Sequence, residues 1–220
     1  MGKEDLNLRF ITAEKHHFDD IMNFLLEHFC FSEPTNVAVD LTPDEARTFW
    51  PDIVTGALVD PVSFIVFDDK DEIVAVRLCS IANRGENEDG SADAIDSNLP
   101  LSALTIVKLL TQVEADLWNL VPDDVNRLLK IDIVSVRGDQ TRKGIANRLI
   151  NWKLDDAKRV FGCQGVAAEA TAFNSQRMFA KNGYRVLYEV VHKDLLDESG
   201  KPIIACKDDT VSSELVFKEL

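Results

Sequence analysis

"VRGDQTRKGIANRL", residues 136–149, joins the end of an apolar, β-branched run to the start of an amphipathic stretch. A helix that begins just beyond a buried strand points unpaired main-chain N–H groups into the space past the strand end, and that terminus carries partial positive charge. Such a junction suits a phosphate or pyrophosphate. Gly144 and Ala146 let an anion come close to the main chain, and Arg142 and Lys143 add fixed positive charge in an otherwise acidic chain. Spacing excludes two other phosphate patterns. A G-x-x-x-x-G-K-[ST] loop fails because Ile145 follows Gly144 where lysine is required, and G-x-G-x-x-G is absent. Taken alone, the stretch reads either as an anion cradle or as a polar turn whose glycines serve geometry only.

The surrounding chain has 220 residues, 45% hydrophobic and 28% charged, enough apolar material for the core of one α/β domain. A formal charge of −14 repels phosphates, so neither nucleic acid nor an anionic membrane is expected as a partner. The same charge attracts a cationic small molecule, or simply keeps the protein in solution. Cys30, Cys79, Cys163 and Cys206 are far apart and form no C-x-x-C pair, so buried reduced thiols are expected and no metal site. "MGKEDLNLRF" lacks the basic and apolar regions of a signal peptide. Gly2 invites comparison with an acylation site, but Leu6 stands where serine or threonine is needed. A cytoplasmic protein is the expectation.

The elements that position the 136–149 junction can be read from periodicity. Alternation over residues 6–11 predicts a strand, and Thr12 is the expected cap of a helix burying Phe18, Ile21, Met22, Leu25 and Phe29. "FSEPTN" breaks that helix, because Pro34 biases Glu33 away from helical backbone. Thr42, Pro43 and Glu45 make a capping box with proline at the first helical position, and Pro51 should kink or interrupt the helix they start. Residues 61–81 read as a hairpin, 82–98 as an acidic surface loop, and 103–120 as a helix. "LLKIDIVSVR" is the predicted central strand, succeeded by one helix from 144 that stops at Gly162. "QGVAAEA" is a strand. "NSQRMFAKNG" is a helix capped by Asn174 or Ser175 and closed by Gly183, and "YRVLYEVV" and "VSSELVFKEL" are the last strands. The order predicts a single domain over residues 1–220 with one mixed, mostly antiparallel sheet and helices on both faces.

"IDIVSVR", "TRKGIA" and "FNSQRMFAKNGY" together resemble the GNAT superfamily of acyl-CoA-dependent N-acetyltransferases. That superfamily carries [RQ]-x-x-G-x-[GA] where its central helix starts, and its amides grip the coenzyme A pyrophosphate. The corresponding residues are Thr141, Arg142, Lys143, Gly144, Ile145 and Ala146. Thr141 departs from the usual arginine or glutamine, so one phosphate contact is either lost or taken over by Gln140 or Arg142. The resemblance implies a GNAT acyltransferase fold with a splayed central strand pair, and acetyl-CoA as the cofactor. It also implies pairing of the pantetheine arm with the main chain at Val134 and Val136. Asn174, Gly183 and Tyr184 match the family's N-x8-G-[FY] spacing, which implies that Asn174 bonds the pantetheine.

Acetyl transfer to an amine needs a neutral nitrogen, so a base must take a proton, and a donor helps the thiolate leave. His16, His17, His28 and His192 read as exposed or structurally satisfied. "FCFSEPTN" resembles the "DEP" segment of insect-type arylalkylamine N-acetyltransferases, in which the glutamate is the base; here that residue is Glu33, with Phe29 and Phe31 nearby. The competing reading is a turn carboxylate. Family members often place a tyrosine four residues before the glycine as thiolate acid, but Phe179 stands there. Ser175 is the substitute carried forward, competing with a role as helix cap. Thr171, Tyr184, Tyr188 and a water are the remaining options.

The resemblance implies transfer of an acetyl group to a primary amine, first of all a small arylalkylamine, by a monomer or homodimer. One alternative is acetylation of a protein terminus, a lysine or a polyamine, which needs an open groove rather than a closed aromatic pocket. The other is an acyl-CoA-binding module without turnover, suggested by Thr141 and Phe179.

Overall fold

A computed structural model describes residues 7–86 and 98–220. Of the acidic loop read at 82–98, residues 87–97 lie outside the described residues, as do Gly2 and Leu6, whereas Ala82 and Asn83 end a strand rather than open the loop. One seven-stranded sheet runs through the chain in the order β1-β2-β3-β4-β5-β7-β6. Its strands are β1 (Arg9–Thr12), β2 (Phe64–Phe67), β3 (Ile73–Asn83), β4 (Arg127–Val136), β5 (Gly165–Ala170), β6 (Arg185–Val191) and β7 (Ser212–Glu219). All neighbours are antiparallel except β4 and β5. Parallel neighbours need a crossover, and α8 (Ile145–Asn151) and α9 (Leu154–Arg159) supply it. The architecture is α/β, one mixed and mostly antiparallel sheet, as the element order predicts.

Two helical layers sandwich the sheet. On one face lie α1 (Phe18–Phe24), α2 (Cys30–Ser32), α3 (Pro34–Ala38), α4 (Pro43–Ala46), α5 (Trp50–Ala57), α6 (Leu101–Glu114) and α7 (Leu117–Leu120). They bury Ile21, Leu25, Trp50 and Val54 against Ile65, Leu78 and Ile133, and Leu109 and Val113 against Leu128 and Phe217. The opposite face holds α8, α9 and α10 (Phe173–Lys181), which bury Ile150, Leu154 and Phe179 against Leu129, Ile131 and Val166. β4 therefore feeds both cores, as its apolar sequence predicts.

Several element ends differ from expectation. Thr12 ends β1, and the first helix starts three residues later as a 3-10 turn over Lys15–His17 behind Glu14, whose N–H donates to His17 Nδ1 at 3.0 Å. The Thr42–Glu45 capping box is present, with Thr42 N–H to Glu45 Oε2 at 2.9 Å and Glu45 N–H to Thr42 Oγ1 at 3.3 Å. The interruption expected at Pro51 falls before Trp50, so that Pro51 sits in the first turn of α5. The helix expected to run from 144 to 162 is two helices, because Lys153 adopts left-handed backbone at φ 55°. Arg77 of β3 holds this break open: Nη1 donates to the Leu149 carbonyl at 2.6 Å and to the Trp152 carbonyl at 2.9 Å. No periodicity within the helix could report that long-range capture. Among the described residues no helix is long and apolar enough to cross a membrane.

Candidate active site

β4 and β5 pair only from Leu128–Ile131 to Gly165–Ala168. Beyond Ile131 the two strands part, while β4 stays paired with β3 through Val136. The parting begins at a bulge: Cys79 faces Ile131 and Leu78 faces Ile133, so Asp132 is an extra residue without a partner on β3. A bulge re-aims side chains and increases local twist, which is how a sheet opens next to a site. The opening is a cleft of about 350 Å³.

One end of the cleft is formed by the junction residues. Gly138–Gln140 is a single 3-10 turn, Thr141 Oγ1 donates back to the Gly138 carbonyl at 2.9 Å, and Arg142 and Gly144 take left-handed backbone at φ 61° and 82°. This path aims the free N–H groups of the first turn of α8 past the end of β4. Val134, Val136, Gly138, Thr141 and Ala146 line the cleft there, and Asn174, Ser175 and Met178 of α10 line its other wall. Arg142 and Lys143 lie in solvent beside the cleft, and Lys143 Nζ donates to Gln140 Oε1 at 2.9 Å. The Ile145 side chain packs into the core under β2 and β3. Of the sequence-predicted cofactor residues, then, Val134, Val136, Thr141, Ala146 and Asn174 meet in one cavity. Arg142, Lys143, Gly144 and Ile145 form the loop behind it.

Arg137, at the end of β4, fixes where this loop leaves the sheet. Its guanidinium donates to Asp139 Oδ1 at 2.7 Å and to Glu72 Oε2 at 2.9 Å, and it faces Asp68 Oδ2 at 3.4 Å. Asp68 and Glu72 flank the β2–β3 turn, so the hairpin tip anchors the junction.

The other end of the cleft belongs to Glu33. A π-helical turn over Leu25–Phe29 runs into α2, and Glu33 then breaks to extended backbone at ψ 125° before Pro34 restarts the helix as α3. Pro34 causes the break, and Glu33 becomes the cap of α3. Its Oε2 accepts Thr35 Oγ1 at 2.5 Å and Asn36 N–H at 2.7 Å. Its Oε1 accepts Thr171 Oγ1 at 2.9 Å from the far side of the cleft, just beyond β5. Glu33 is only 7% exposed, and that burial raises its pKa despite the hydrogen bonds from Thr35, Asn36 and Thr171, which lower it. A carboxylate with one oxygen held twice and the other held once keeps acceptor capacity on Oε1.

Ser175 lines the cleft, but as the third residue of α10. Its Oγ donates to the Ala172 carbonyl at 2.7 Å and receives the Ala172 N–H at 3.3 Å. The residue at the cap position is Ala172, not Asn174 or Ser175. Phe179 is buried edge-on against Tyr184 at 4.8 Å, and the Tyr184 hydroxyl lies in the core, where burial raises its pKa. Tyr188 stands half-exposed on edge strand β6. Neither tyrosine lines the cleft. The histidines stay outside it too. His192 is buried with Nε2 at 2.9 Å from Ser213 Oγ, and burial lowers its pKa. All four cysteines are free, and Cys206 is half-buried rather than buried.

Sequence reasoning missed Asp132, Glu169 and Asp208, which also line the cleft. A signal existed: Lys130 and Asp132 are charges set inside the apolar run "LLKIDIVSV", where ionised groups need partners. Lys130 Nζ lies 2.5 Å from Glu114 Oε1 and 3.9 Å from Glu169 Oε1. Asp132 Oδ1 accepts Ser80 Oγ at 3.1 Å. Among the described residues no lysine, arginine or histidine lines the cleft.

No protein-family model matches the chain. Among solved structures, an arylalkylamine N-acetyltransferase 2 from Aedes aegypti is 27% identical, with a TM-score of 0.86 over 97% of this chain and 99% of its own. A Drosophila melanogaster polyamine N-acetyltransferase, which forms N-acetylagmatine, is 20% identical with a TM-score of 0.81 over 97% and 100%. An Arabidopsis thaliana NAA60 in complex with acetyl-CoA is 14% identical and shares the fold at a TM-score of 0.54 over 97% and 99%. The open β4–β5 pair and the helix start beyond β4 are thus found in a chain whose structural neighbours include named N-acetyltransferases.

Proposed function

The chain is an N-acetyltransferase of the GNAT fold, and on that premise we propose that it moves the acetyl group of acetyl-CoA to a small primary amine, in the first place an arylalkylamine. The observation that carries this reading is the placement of Glu33. A buried carboxylate with acceptor capacity on Oε1 stands across one cleft from a strand edge and a helix start suited to a pantetheine and a pyrophosphate.

The residues present fit the cofactor. Val134 and Val136 offer main-chain groups on the edge of β4 that β5 has left, and residues 141–146 offer amides at the start of α8. Asn174 faces them from α10. Acetyl-CoA supplies an acetyl group activated as a thioester. Glu33 Oε1 takes the proton of the ammonium, directly or through one water, and Thr171 Oγ1 holds that oxygen in place. Ser175 Oγ, on turning from the Ala172 carbonyl that it now bonds, is the donor on the α10 side, where Phe179 has no hydroxyl. The exclusion of cationic side chains from the described lining keeps the carboxylates free to attract an ammonium.

A second acceptor class, polyamines, is favoured by the four carboxylates Glu33, Asp132, Glu169 and Asp208 along the lining. The free cysteines fit a cytoplasmic setting. The test is thiol release from acetyl-CoA with tyramine, phenethylamine, serotonin, agmatine and putrescine. Release that depends on the amine is expected, and is fastest with an aryl acceptor. Coenzyme A binding without release on any amine or peptide would point instead to a binding module.

A further inference from the structure

We propose that Asp132 is the ammonium anchor of the acceptor site, distinct from Glu33, and so makes the cleft select acceptors that arrive as cations. The proposal deepens the primary-amine reading above and rests on it.

The geometry is that of a carboxylate that, among the described residues, makes no ion pair with a protein cation. Asp132 is the bulged residue at the point where β4 and β5 part, and it lines the cleft. It faces the same side of the sheet as Ser80, whose cross-strand partner is Lys130. That is the α6 side, because Lys130 reaches Glu114 at the end of α6. Glu33 also comes from this layer. Asp132 Oδ1 is held by Ser80, and among the described residues Oδ2 makes no hydrogen bond.

Lys130 is the nearby cation, yet it is committed elsewhere: Glu114 at 2.5 Å and Glu169 at 3.9 Å. Burial pushes the Glu169 carboxyl well above the usual carboxylate range, with the Glu114 charge beside it acting in the same direction. Glu114 stays ionised beside Lys130, against its own burial. With that pair balanced, the remaining negative charge of the cluster sits on Asp132 and faces the cavity. An unpaired carboxylate in a poorly solvated site is costly, and a cation entering the cleft relieves the cost. An alkylammonium supplies that charge with three donors.

The experiment compares two acceptors of the same shape. Phenethylamine is a cation at pH 7, whereas O-benzylhydroxylamine carries the same ring and chain length with a neutral nitrogen. Binding to the coenzyme A-loaded protein is measured by calorimetry, and KM and kcat by thiol release. Wild type is expected to bind phenethylamine at least about tenfold more tightly than its neutral analogue. Asp132→Asn should erase that preference by weakening phenethylamine about tenfold through KM, with the neutral analogue within about twofold. Ser80→Ala, which leaves the carboxylate in place, should keep the preference. A merely structural Asp132 would move both ligands together, and that result, or an unchanged preference in Asp132→Asn, overturns the proposal. If wild type binds neither acceptor while binding coenzyme A, the primary-amine reading itself fails and the anchor falls with it.

Discussion

Thr171 donates its hydroxyl to Glu33 across the mouth of the cleft, Oγ1 to Oε1 at 2.9 Å, joining residues 138 positions apart in sequence. One comes from a helix break on one face of the sheet and the other from the end of β5. The bond therefore exists only if β5 leaves β4 at the right place. It couples the opening of the sheet to the position of the base.

Replacing Glu33 removes the proton acceptor. Glu33→Gln keeps the side-chain shape, yet it should lower kcat/KM for an amine by about 10²- to 10⁴-fold, the usual worth of a positioned base. Burial raises the Glu33 pKa, so wild-type activity should fall with decreasing pH through a limb above that of an ordinary glutamate. That limb should be absent from the pH–rate profile of the variant. A profile identical to wild type would dismiss the assignment.

Thr171 acts on the same limb. Its hydrogen bond lowers the Glu33 pKa by favouring the charged form. Thr171→Val should therefore move the acidic limb to higher pH and reduce kcat at pH 7, and Thr171→Ser should restore both. A Thr171→Val profile superimposable on wild type would show that the bond does not tune the base.

Glu33 was legible as a break in the chain, because "SEP" forces one; its bond from Thr171 was not, because that residue is remote in sequence. The same division holds elsewhere. The Thr42–Glu45 box, the β2–β3 hairpin and the central strand arise from local spacing, and all are present. Local spacing failed where another element intervened. Arg77 took the carbonyls of Leu149 and Trp152 and split one expected helix into α8 and α9. Thr12 was claimed by pairing with Phe64 and so could not cap a helix. Asp132 escaped notice because a bulge is set by register between two strands, and a single strand's alternation does not contain it.

The junction loop should matter through its backbone. A Cβ at Gly144 meets nothing within 4 Å, yet the residue sits at φ 82°, where a β-branched side chain is strained. Gly144→Val should weaken coenzyme A about tenfold, the equivalent of about 1.4 kcal/mol, by calorimetry. An unchanged Kd would remove the loop from the cofactor site.

Asp132 has a stability signature with a definite sign. Burial is the main reason its pKa is pushed up to about 6, opposed by Lys130 and the Ser80 hydrogen bond and reinforced by Glu114. Glu169 is the other carboxylate on the cleft side of the cluster. A carboxyl whose folded pKa lies above its unfolded value stabilises the fold at low pH. That contribution is lost as pH rises through about 4 to 6. Asp132→Asn should accordingly be more stable than wild type to urea at pH 7, with the gain vanishing near pH 4. A variant less stable at pH 7 would mean that Asp132 is paired in the folded state.

By contrast, the Thr42 cap lies away from the cleft. Thr42→Ala should cost about 1 kcal/mol of stability and leave kcat/KM unchanged, measured by urea unfolding and thiol release.

The most direct test of acetyl transfer to a small primary amine is the product itself. The purified protein is incubated with acetyl-CoA and tyramine, and the mixture is read by mass spectrometry beside a heat-inactivated control and Glu33→Gln. N-acetyltyramine should accumulate in step with free coenzyme A in the native protein, and fall by about 10²-fold or more in the variant. Bound coenzyme A with no N-acetylated product from tyramine or any other amine of the panel would contradict the account.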